Sequence, residues 1–395
     1  MYRIGKEEID EIAKVIESRQ LFRIGDPLYG HLQEVDRFEK EWAEKIGTDY
    51  ALCVSGGGTC ALLCCLVGLG IGPGDEVIVP GYTFMASAVA VLAAGAIPVI
   101  AEVDDSLTLD PNDLERKIGA KTRAVIPVHM VGRPCDMDSI MSIARKHGLK
   151  VIEDVCQADG GSYKGRRLGS IGDAGGFSFN YFKIITCGEG GAVVTNDRIA
   201  YERALIYHDG GCTFRPHAKE LMVPIFAGIQ LRATELMGAI LRIQLQRLDG
   251  ILADLRRVRN IFMDELSGVP GIRFARSNDL EGDCGVVAAF QFDSEAHARK
   301  FAEFPCVGGW LPIDTGRHVY TNWEPIFAKR AGSHEALNPY NMPQNQGLRL
   351  DYSLDMCPNT LDICKRTVFV SLDPDWTDEQ IMERITACRN AASVL

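Results

Sequence analysis

The chain has 395 residues, 46% of them hydrophobic and 24% charged, and a formal net charge of −11 at pH 7. This is the balance of an ordinary globular protein, and the acidic charge without any Lys/Arg cluster argues against a nucleic-acid binder. The length exceeds what one core usually serves. We therefore predict an N-terminal segment with a large domain over residues 1–250 and a small C-terminal domain over residues 251–395.

The thirteen cysteines are scattered along the chain, odd in number, and show no C-x-x-C spacing. Reduced thiols in a cytoplasm fit this pattern better than disulfides or a metal site. The N-terminus carries acidic residues in an amphipathic pattern unlike a signal peptide, and no apolar stretch reaches membrane-spanning length. We predict a cytoplasmic protein without a metal.

Between residue 50 and about residue 195, short apolar runs alternate with amphipathic helical patterns, which predicts right-handed crossovers and an α/β fold with a mostly parallel seven-stranded sheet. The predicted helices include Thr59–Leu69, Met85–Ala94 and Met137–His147. The predicted strands are Tyr50–Val54, Glu76–Pro80, Ile97–Ala101, Ala124–Val128, Lys150–Glu153, Gly176–Asn180 and Gly191–Thr195. Only the loop 181–190 separates the last two runs, too little for a crossover helix, so we expect that pair to be antiparallel.

A long helical pattern begins at Thr234 and could carry the chain from one domain to the next. The remainder is less regular, with strand candidates at Gly285–Phe292 and Thr367–Leu372. Residues 305–350 are rich in Gly, Pro, Asn and Trp and are predicted to form long loops.

The residues best suited to chemistry follow the predicted strands. In an open parallel sheet, ligands bind beyond the carboxyl ends of the strands. These residues should therefore meet at one edge. They are Gly56, Gly57, Gly58, Thr59, Tyr82, Phe84, His129, Asp154, Gln157, Ser178 and Lys183.

Lys183 lies among aromatic and aliphatic residues in the run Phe177–Gly191. Partial desolvation would favour its neutral, nucleophilic amine, which can form a Schiff base with an aldehyde. A lysine that snorkels at a strand end is the alternative interpretation.

The turn Ser55–Thr59 is rich in glycine and opens a helix, a geometry that aims backbone N–H groups at an anion such as phosphate. A plain strand-to-helix turn is equally consistent with it. Two rival nucleotide sites are excluded, because the chain has no G-x-x-x-x-G-K-[ST] and Gly68–Gly74 lacks G-x-G-x-x-G spacing.

Asp154 follows an apolar run, where an unpaired carboxylate would be expensive to bury. A protonated ring nitrogen would pair with it, although a helix N-cap is the simpler alternative. His129 is a candidate catalytic group or a hydrogen-bonded structural histidine. Phe84 could stack on a planar ring or belong to the core.

These parts fit pyridoxal 5'-phosphate (PLP), which needs an amine for its aldehyde, an acid for its ring nitrogen, an anion cradle and an aromatic on its ring face. Lys183 and Asp154 would supply the first two. The Gly58–Thr59 turn with Ser178 would form the cradle, and Phe84 would cover the ring.

Four ordered motifs resemble the DegT/DnrJ/EryC1/StrS aminotransferases: Gly72–Phe84, Pro127–His129, Glu153–Ala158 and Ser178–Gly191. The resemblance runs from about residue 20 to 250 and continues weakly to Trp376–Gln380. It implies a three-layer, fold type I PLP-dependent transferase that acts on keto-sugars and cyclitols in amino sugar, aminocyclitol or antibiotic biosynthesis. It also implies a homodimer with active sites at the subunit interface.

Residue by residue, the resemblance implies that Lys183 binds the cofactor's aldehyde and later moves a proton. Asp154 would pair with the pyridinium nitrogen, and Gln157 would contact the ring's phenolic oxygen. Phosphate contacts would come from Gly58, Thr59 and Ser178, while Phe84 would stack on the ring.

The chain departs from the family pattern at two places, and a third position excludes a known variant. Gly57 replaces the serine of the phosphate turn, which removes a hydroxyl and keeps the backbone amides. Gln230 replaces the asparagine that reaches the partner subunit's phosphate. Some members carry histidine in place of the lysine and are sugar dehydratases, so Lys183 argues against that reaction.

The sequence therefore predicts a PLP-dependent aminotransferase that moves an amino group from glutamate or glutamine to a carbonyl of a keto-sugar, keto-sugar acid or cyclitol. The segment His318–Trp323 resembles the branch that acts on eight-carbon keto-sugar acids. The alternatives are a PLP-dependent dehydratase or oxidase on the same fold, and a regulatory relative without activity. The latter is disfavoured because no DNA-binding appendage or basic tract is present.

Overall fold

A computed structural model describes residues 3–211 and 220–395 of the chain. Within them the strands form sheets of seven, three and two strands. None of the helices in the described ranges has the length and apolar character needed to span a bilayer. The described cysteines carry free thiols, and Cys212 lies outside the described residues.

The seven-stranded sheet has the order β1-β9-β8-β5-β4-β2-β3. Its strands are β1 (Tyr50–Val54), β2 (Glu76–Pro80), β3 (Ile97–Ala101), β4 (Thr122–Val125), β5 (Lys150–Asp154), β8 (Ala174–Ser178) and β9 (Gly191–Thr195). Strands β8, β5, β4, β2 and β3 pair in parallel, whereas β9 is antiparallel to both β8 and β1. The prediction of a mostly parallel sheet with an antiparallel last pair is confirmed.

Two strands start and end two or three residues before their predicted bounds. Strand β4 includes the polar residues Thr122 and Arg123 and ends before Pro127, which has no N–H for a sheet ladder. Strand β8 begins in small residues because a side chain at Gly175 would meet the backbone of Gly169 at 2.6 Å. Glycine thus permits a close approach here and hides the strand in the sequence.

The helices alternate with these strands as the pattern predicted. They are α1 (Lys6–Ser18), α2 (Glu34–Ile46), α3 (Gly57–Gly68), α4 (Ala86–Ala93), α5 (Pro111–Lys117), α6 (Met137–His147), α7 (Arg198–His208) and α8 (Glu235–Leu266). Helix α6 has the predicted bounds. Helix α3 begins two residues earlier than predicted, so the glycine-rich turn is itself the first turn of the helix.

The sheet is buried on both faces, which explains why its strands read as continuous apolar runs. Alternate residues of a strand enter different cores: Ile78 packs with α2, α6 and α8, whereas Val77 and Val79 pack with α3, α4 and α7. The result is a three-layer arrangement of helices, sheet and helices.

An aromatic cluster fixes α2 to the sheet. The Trp42 ring meets Phe177 and Phe179 edge to face at 5.0 and 5.3 Å, and Phe38 meets Phe179 at 5.6 Å. All four side chains are fully buried. Phe177 lies on β8 and Phe179 directly after it, so this cluster supports the segment that leads to Lys183.

The 32-residue helix α8 offers a matched pair of glycines. A Cβ on Gly238 would lie 2.5 Å from the Val35 backbone nitrogen in α2, whereas a Cβ on Gly250 meets nothing within 4 Å. We expect Gly238→Ala to lower the free energy of unfolding by about 2 kcal/mol through overpacking. Gly250→Ala should raise it by about 0.5–1 kcal/mol, because alanine costs less backbone entropy in a helix.

Denaturant unfolding of both variants against wild type measures these changes. Equal shifts in the two variants would contradict the close packing of α2 on α8.

The second sheet is antiparallel, with the order β10-β12-β11. Its strands are β10 (Val287–Gln291), β11 (Gly309–Trp310) and β12 (Thr367–Ser371), flanked by α9 (Glu295–Ala302), α10 (Glu324–Phe327), α11 (Pro358–Arg366) and α12 (Asp378–Ser393). A two-stranded hairpin joins β6 (Ser162–Tyr163) to β7 (Arg166–Arg167). Residues 305–350 consist mainly of short 3₁₀ turns and loops. Helix α8 runs unbroken through residue 250, and the division into domains there stays a prediction.

Candidate active site

A cavity of about 130 Å³ lies at the carboxyl edge of the seven-stranded sheet. In "Sequence analysis" nine residues received a catalytic or cofactor-binding role. Seven of them line this cavity, and they come from the ends of different strands. These are Gly58, Thr59, Phe84, Asp154, Gln157, Ser178 and Lys183. The cavity is completed by Gly56, Gly57, Leu62, Thr83, Ala86, Val128, Cys156, Asn180 and Glu189. We call it the first cavity.

The start of α3 forms one wall of the first cavity. The first N–H groups of a helix have no partner within the helix and carry its positive dipole end, so this wall favours an anion. A Cβ on Gly58 would lie 2.4 Å from the Cys156 sulfur and 3.1 Å from the Ser178 Cβ. Only a residue without a side chain fits there, which leaves the backbone open to a ligand.

Asp154 ends β5 at the opposite wall and is buried. Its Oδ2 accepts a hydrogen bond of 2.7 Å from the Ser87 hydroxyl, and its Oδ1 accepts one of 3.1 Å from the Cys156 amide. The Thr83 and Ser87 hydroxyls lie 2.8 Å apart and extend this chain. The carboxylate is thus held in one orientation, with acceptor capacity left for a cation in the cavity.

Lys183 is half-buried in the loop between β8 and β9. The loop is closed by backbone bonds, from Phe179 to Gly190 at 2.7 Å and from Tyr181 to Gly188 at 2.9 Å. An Asn180 side chain caps a turn within it by accepting from the Phe182 amide. The antiparallel direction of β9 therefore brings both ends of this loop to the edge where the other site residues lie.

A second cavity, of about 270 Å³, adjoins the first. Lys183 and Gln157 line both cavities. The other lining residues come from loops that follow strands of the seven-stranded sheet and from the second sheet with its adjoining segments: Tyr82, Met130, Val131, Phe182, Ile184, Val286, Val287, Trp310, Thr315, His318 and Ser371. A ligand in either cavity would therefore reach the same lysine.

His318 was selected from the sequence only as part of a resembling segment, and the structure places it in the second cavity. Its ring lies 5.2 Å from the Phe84 ring. Backbone bonds hold it there, because the Thr83 amide donates to the His318 carbonyl and the Tyr320 amide donates to the Gly81 carbonyl, both at 2.9 Å. No local signal reveals this pairing of segments that are more than 200 residues apart.

His129 does not line either cavity. It is fully buried, with Nε2 3.2 Å from a Glu153 carboxylate oxygen and Nδ1 3.1 Å from the Cys135 amide. Because that amide donates to Nδ1, Nε2 carries the proton and donates to Glu153. Both ring nitrogens therefore serve internal hydrogen bonds, as in the structural alternative named above, and the selection of His129 as a catalytic group stays a prediction.

Gln230 also lies apart from both cavities and is exposed. It pairs with Asp209 through an isolated antiparallel bridge. Within one chain it therefore does not meet the other residues that were selected.

Solved structures of aminotransferases share this architecture. One described as the crystal structure of 3-amino-5-hydroxybenzoic acid (AHBA) synthase is 26% identical and has a TM-score of 0.79, with 100% of this chain and 98% of that chain covered. Residues 2–303 match the DegT/DnrJ/EryC1/StrS aminotransferase family. The chain belongs to this family and is an aminotransferase.

Two curated relatives match over nearly the whole length. The spore coat polysaccharide biosynthesis protein SpsC of Bacillus subtilis is 30% identical, covering 98% of this chain and 95% of the relative. L-glutamine:2-deoxy-scyllo-inosose aminotransferase of Streptomyces fradiae is 33% identical, covering 90% and 85%. The family assignment and the α/β fold predicted from the sequence are both confirmed.

Proposed function

We propose that this aminotransferase uses PLP and moves an amino group from glutamate or glutamine to a carbonyl of a keto-sugar, keto-sugar acid or cyclitol. The observation that carries the proposal is the meeting of the two cavities at Lys183, with an anion-binding helix start and a fixed carboxylate in the first of them. The names of the relatives, which include a polysaccharide biosynthesis protein and a cyclitol aminotransferase, support the acceptor class.

The residues of the first cavity fit PLP in each of its parts. The start of α3 at Gly58 and Thr59, with Ser178 beside it, suits the phosphate because a side chain at Gly58 would block the approach. Asp154 suits the ring nitrogen, and Phe84, 42% exposed, offers a face for the ring. Glu189 also lines this cavity and is exposed to solvent.

The side-chain amide of Gln157 already makes one hydrogen bond within the protein. Its Oε1 accepts a hydrogen bond of 3.1 Å from the Val131 amide, so its NH₂ group is left to donate toward the cavities. A phenolic oxygen on the cofactor would be a suitable acceptor for that donor.

When bound, PLP supplies an aldehyde for the amine and an electron-withdrawing ring. Lys183 would hold the aldehyde and then move the proton at the reacting carbon. Asp154 would keep the ring nitrogen protonated, held in place by Ser87. His129 would serve only to position the end of β5, through its bond to Glu153, whose carboxylate also accepts from the Gly169, Ile171 and Gly172 amides at 2.9, 2.6 and 2.7 Å.

A homodimer is part of the proposal. Exposed apolar side chains cluster by sequence in three segments: Leu21, Phe22, Leu28 and Tyr29; Tyr181 and Phe182; and Met222, Ile225 and Ile229. Leu28 is 88% exposed and Phe182 is 79% exposed. Contact with a second copy of the chain would remove these apolar surfaces from water. The exposed Gln230 would then reach the partner's phosphate cradle.

A cytoplasmic location stays a prediction.

Spectroscopy of the purified protein tests this proposal. Addition of PLP should produce visible absorption, and subsequent glutamate or glutamine should remove it while releasing the matching 2-oxo acid. A dehydratase or oxidase needs no amino donor, so loss of the donor requirement would favour that alternative. A protein that acquires no visible absorption from PLP would refute the proposal. Mass spectrometry with keto-sugars and cyclitol ketones then identifies the acceptor.

A further inference from the structure

Four polar side chains of the second cavity each use one hydrogen-bonding function on the protein, which fixes the function that remains for a ligand: Gln157, Thr315, His318 and Ser371. The thirteen described residues that line this cavity include one formally charged side chain, Lys183. Selection of a substrate there must therefore rest on hydrogen bonds and shape. Buried hydrogen-bonding groups discriminate strongly, because an analogue without the partner group leaves them unpaired.

His318 is held in one tautomer. Its Nδ1 lies 3.3 Å from the Thr315 carbonyl oxygen, which can only accept, so Nδ1 carries the proton. Its Nε2 makes no hydrogen bond with the described part of the chain and retains a lone pair. Burial, together with the positive charge of Lys183, lowers the pKa of His318 and keeps the ring neutral.

Ser371, in contrast to His318, is left with a hydrogen-bond donor for a ligand. It is exposed at the end of β12, and its oxygen accepts a hydrogen bond of 3.0 Å from the Trp310 indole N–H. Its own O–H is then directed to another acceptor. The Thr315 hydroxyl donates to the Pro312 carbonyl at 2.5 Å, which leaves the Thr315 oxygen only an accepting role.

The positions of these groups relate them to the reacting carbonyl. In the proposed function, on which this inference rests, that carbonyl must come to Lys183 at the junction of the cavities. His318 stands beside this junction, with its ring against Phe84 of the first cavity. Ser371 and Trp310 belong to the second sheet and line the same cavity from that side.

We propose that His318 Nε2 accepts a hydrogen bond from a hydroxyl group on the carbon next to the acceptor's carbonyl, and that Ser371 donates to a second oxygen of the same molecule. The inferred acceptor is a polyhydroxylated ketone that is neutral at this position.

Two ring ketones test the proposal: scyllo-inosose, which carries a hydroxyl on both carbons next to the carbonyl, and its analogue without a hydroxyl on either of these carbons. The protein is loaded with pyridoxamine 5'-phosphate, and the rate with each ketone is followed by the return of visible absorption. Dissociation constants are measured by calorimetry in a Lys183→Ala background, where turnover is prevented. We expect wild type to prefer the hydroxylated ketone by about fivefold to tenfold, as one hydrogen bond provides.

His318→Phe should abolish this preference, so that the ratio of the two ketones is about one in rate and in affinity. His318→Gln, whose Oε1 can replace Nε2 as an acceptor, should restore part of it. Ser371→Ala should weaken both ketones equally and leave the preference unchanged. His297→Phe, which changes an exposed histidine on α9, is the matched control and should behave as wild type.

A wild-type protein without the preference, a His318→Phe protein that keeps it, or a loaded protein that binds neither ketone would overturn the proposal. A protein that acquires no visible absorption from PLP, or releases no 2-oxo acid from the amino donor, would instead refute the proposed function. The two failures are therefore distinguishable.

Discussion

Replacement of Lys183 by alanine should abolish both the visible absorption given by PLP and turnover, with a rate loss of about 10⁴-fold or more. The reason is that one amine would serve as both covalent attachment and proton carrier. The side chain is half-buried in a loop closed by its own backbone bonds, so the fold should persist. Absorption spectra and single-turnover rates measure the effect.

Two controls separate chemistry from charge at this position. Lys183→Arg keeps a positive charge without a reactive amine and should lose the same absorption. Lys164→Ala removes an exposed lysine that pairs with Asp138 and should leave the spectrum unchanged. Residual turnover above about a hundredth of wild type in Lys183→Ala would assign the proton transfer, which is worth about 10²–10⁴-fold, to another group.

Replacement of Asp154 by asparagine should weaken PLP binding and lower turnover by about 10²–10³-fold. Asparagine keeps the shape of the side chain but cannot stabilise a protonated ring nitrogen by charge. Ser87→Ala should produce a smaller loss of the same kind, because it removes the 2.7 Å hydrogen bond that orients the carboxylate. Titration with PLP, followed by absorption, gives the affinities.

Asp138→Asn makes the same chemical change at an exposed ion pair and provides the control. It should bind PLP as wild type does. If Asp154→Asn retains full affinity and turnover, the ring nitrogen of the cofactor has no partner at this position, and the proposed orientation of PLP in the first cavity is wrong.

Much of the site could be predicted because, in an open parallel sheet, residues that follow neighbouring strands meet at the carboxyl ends of the strands, where ligands bind. On this basis we expected four residues from separate parts of the chain to lie together, and all of them line the first cavity: Gly58, Asp154, Ser178 and Lys183. The rule does not say which way a side chain points. Val128 lines the cavity, and His129, the next residue, points into the core, since successive residues of an extended segment alternate between faces.

Other features depended on contacts that no local pattern carries. Ser87 lies one helical turn after Phe84, but its bond to Asp154 depends on how α4 packs beside β5. Trp310 and Ser371 lie in short strands of the second sheet, and they line the second cavity only because the tertiary fold brings that sheet to the loops around Lys183. Sequence periodicity defines faces of elements and does not define distances between sheets.

The anchorage of His318 has a consequence for the redesign of this enzyme. Backbone bonds tie its segment to residues 81–85 beside the first sheet, whereas Trp310 and Ser371 are carried by the second sheet. The side of the second cavity that carries His318 and the side that carries Trp310 and Ser371 therefore belong to separately supported structures. Changes at Trp310 or Ser371 can enlarge the space for bulkier acceptors while the reacting end keeps its alignment.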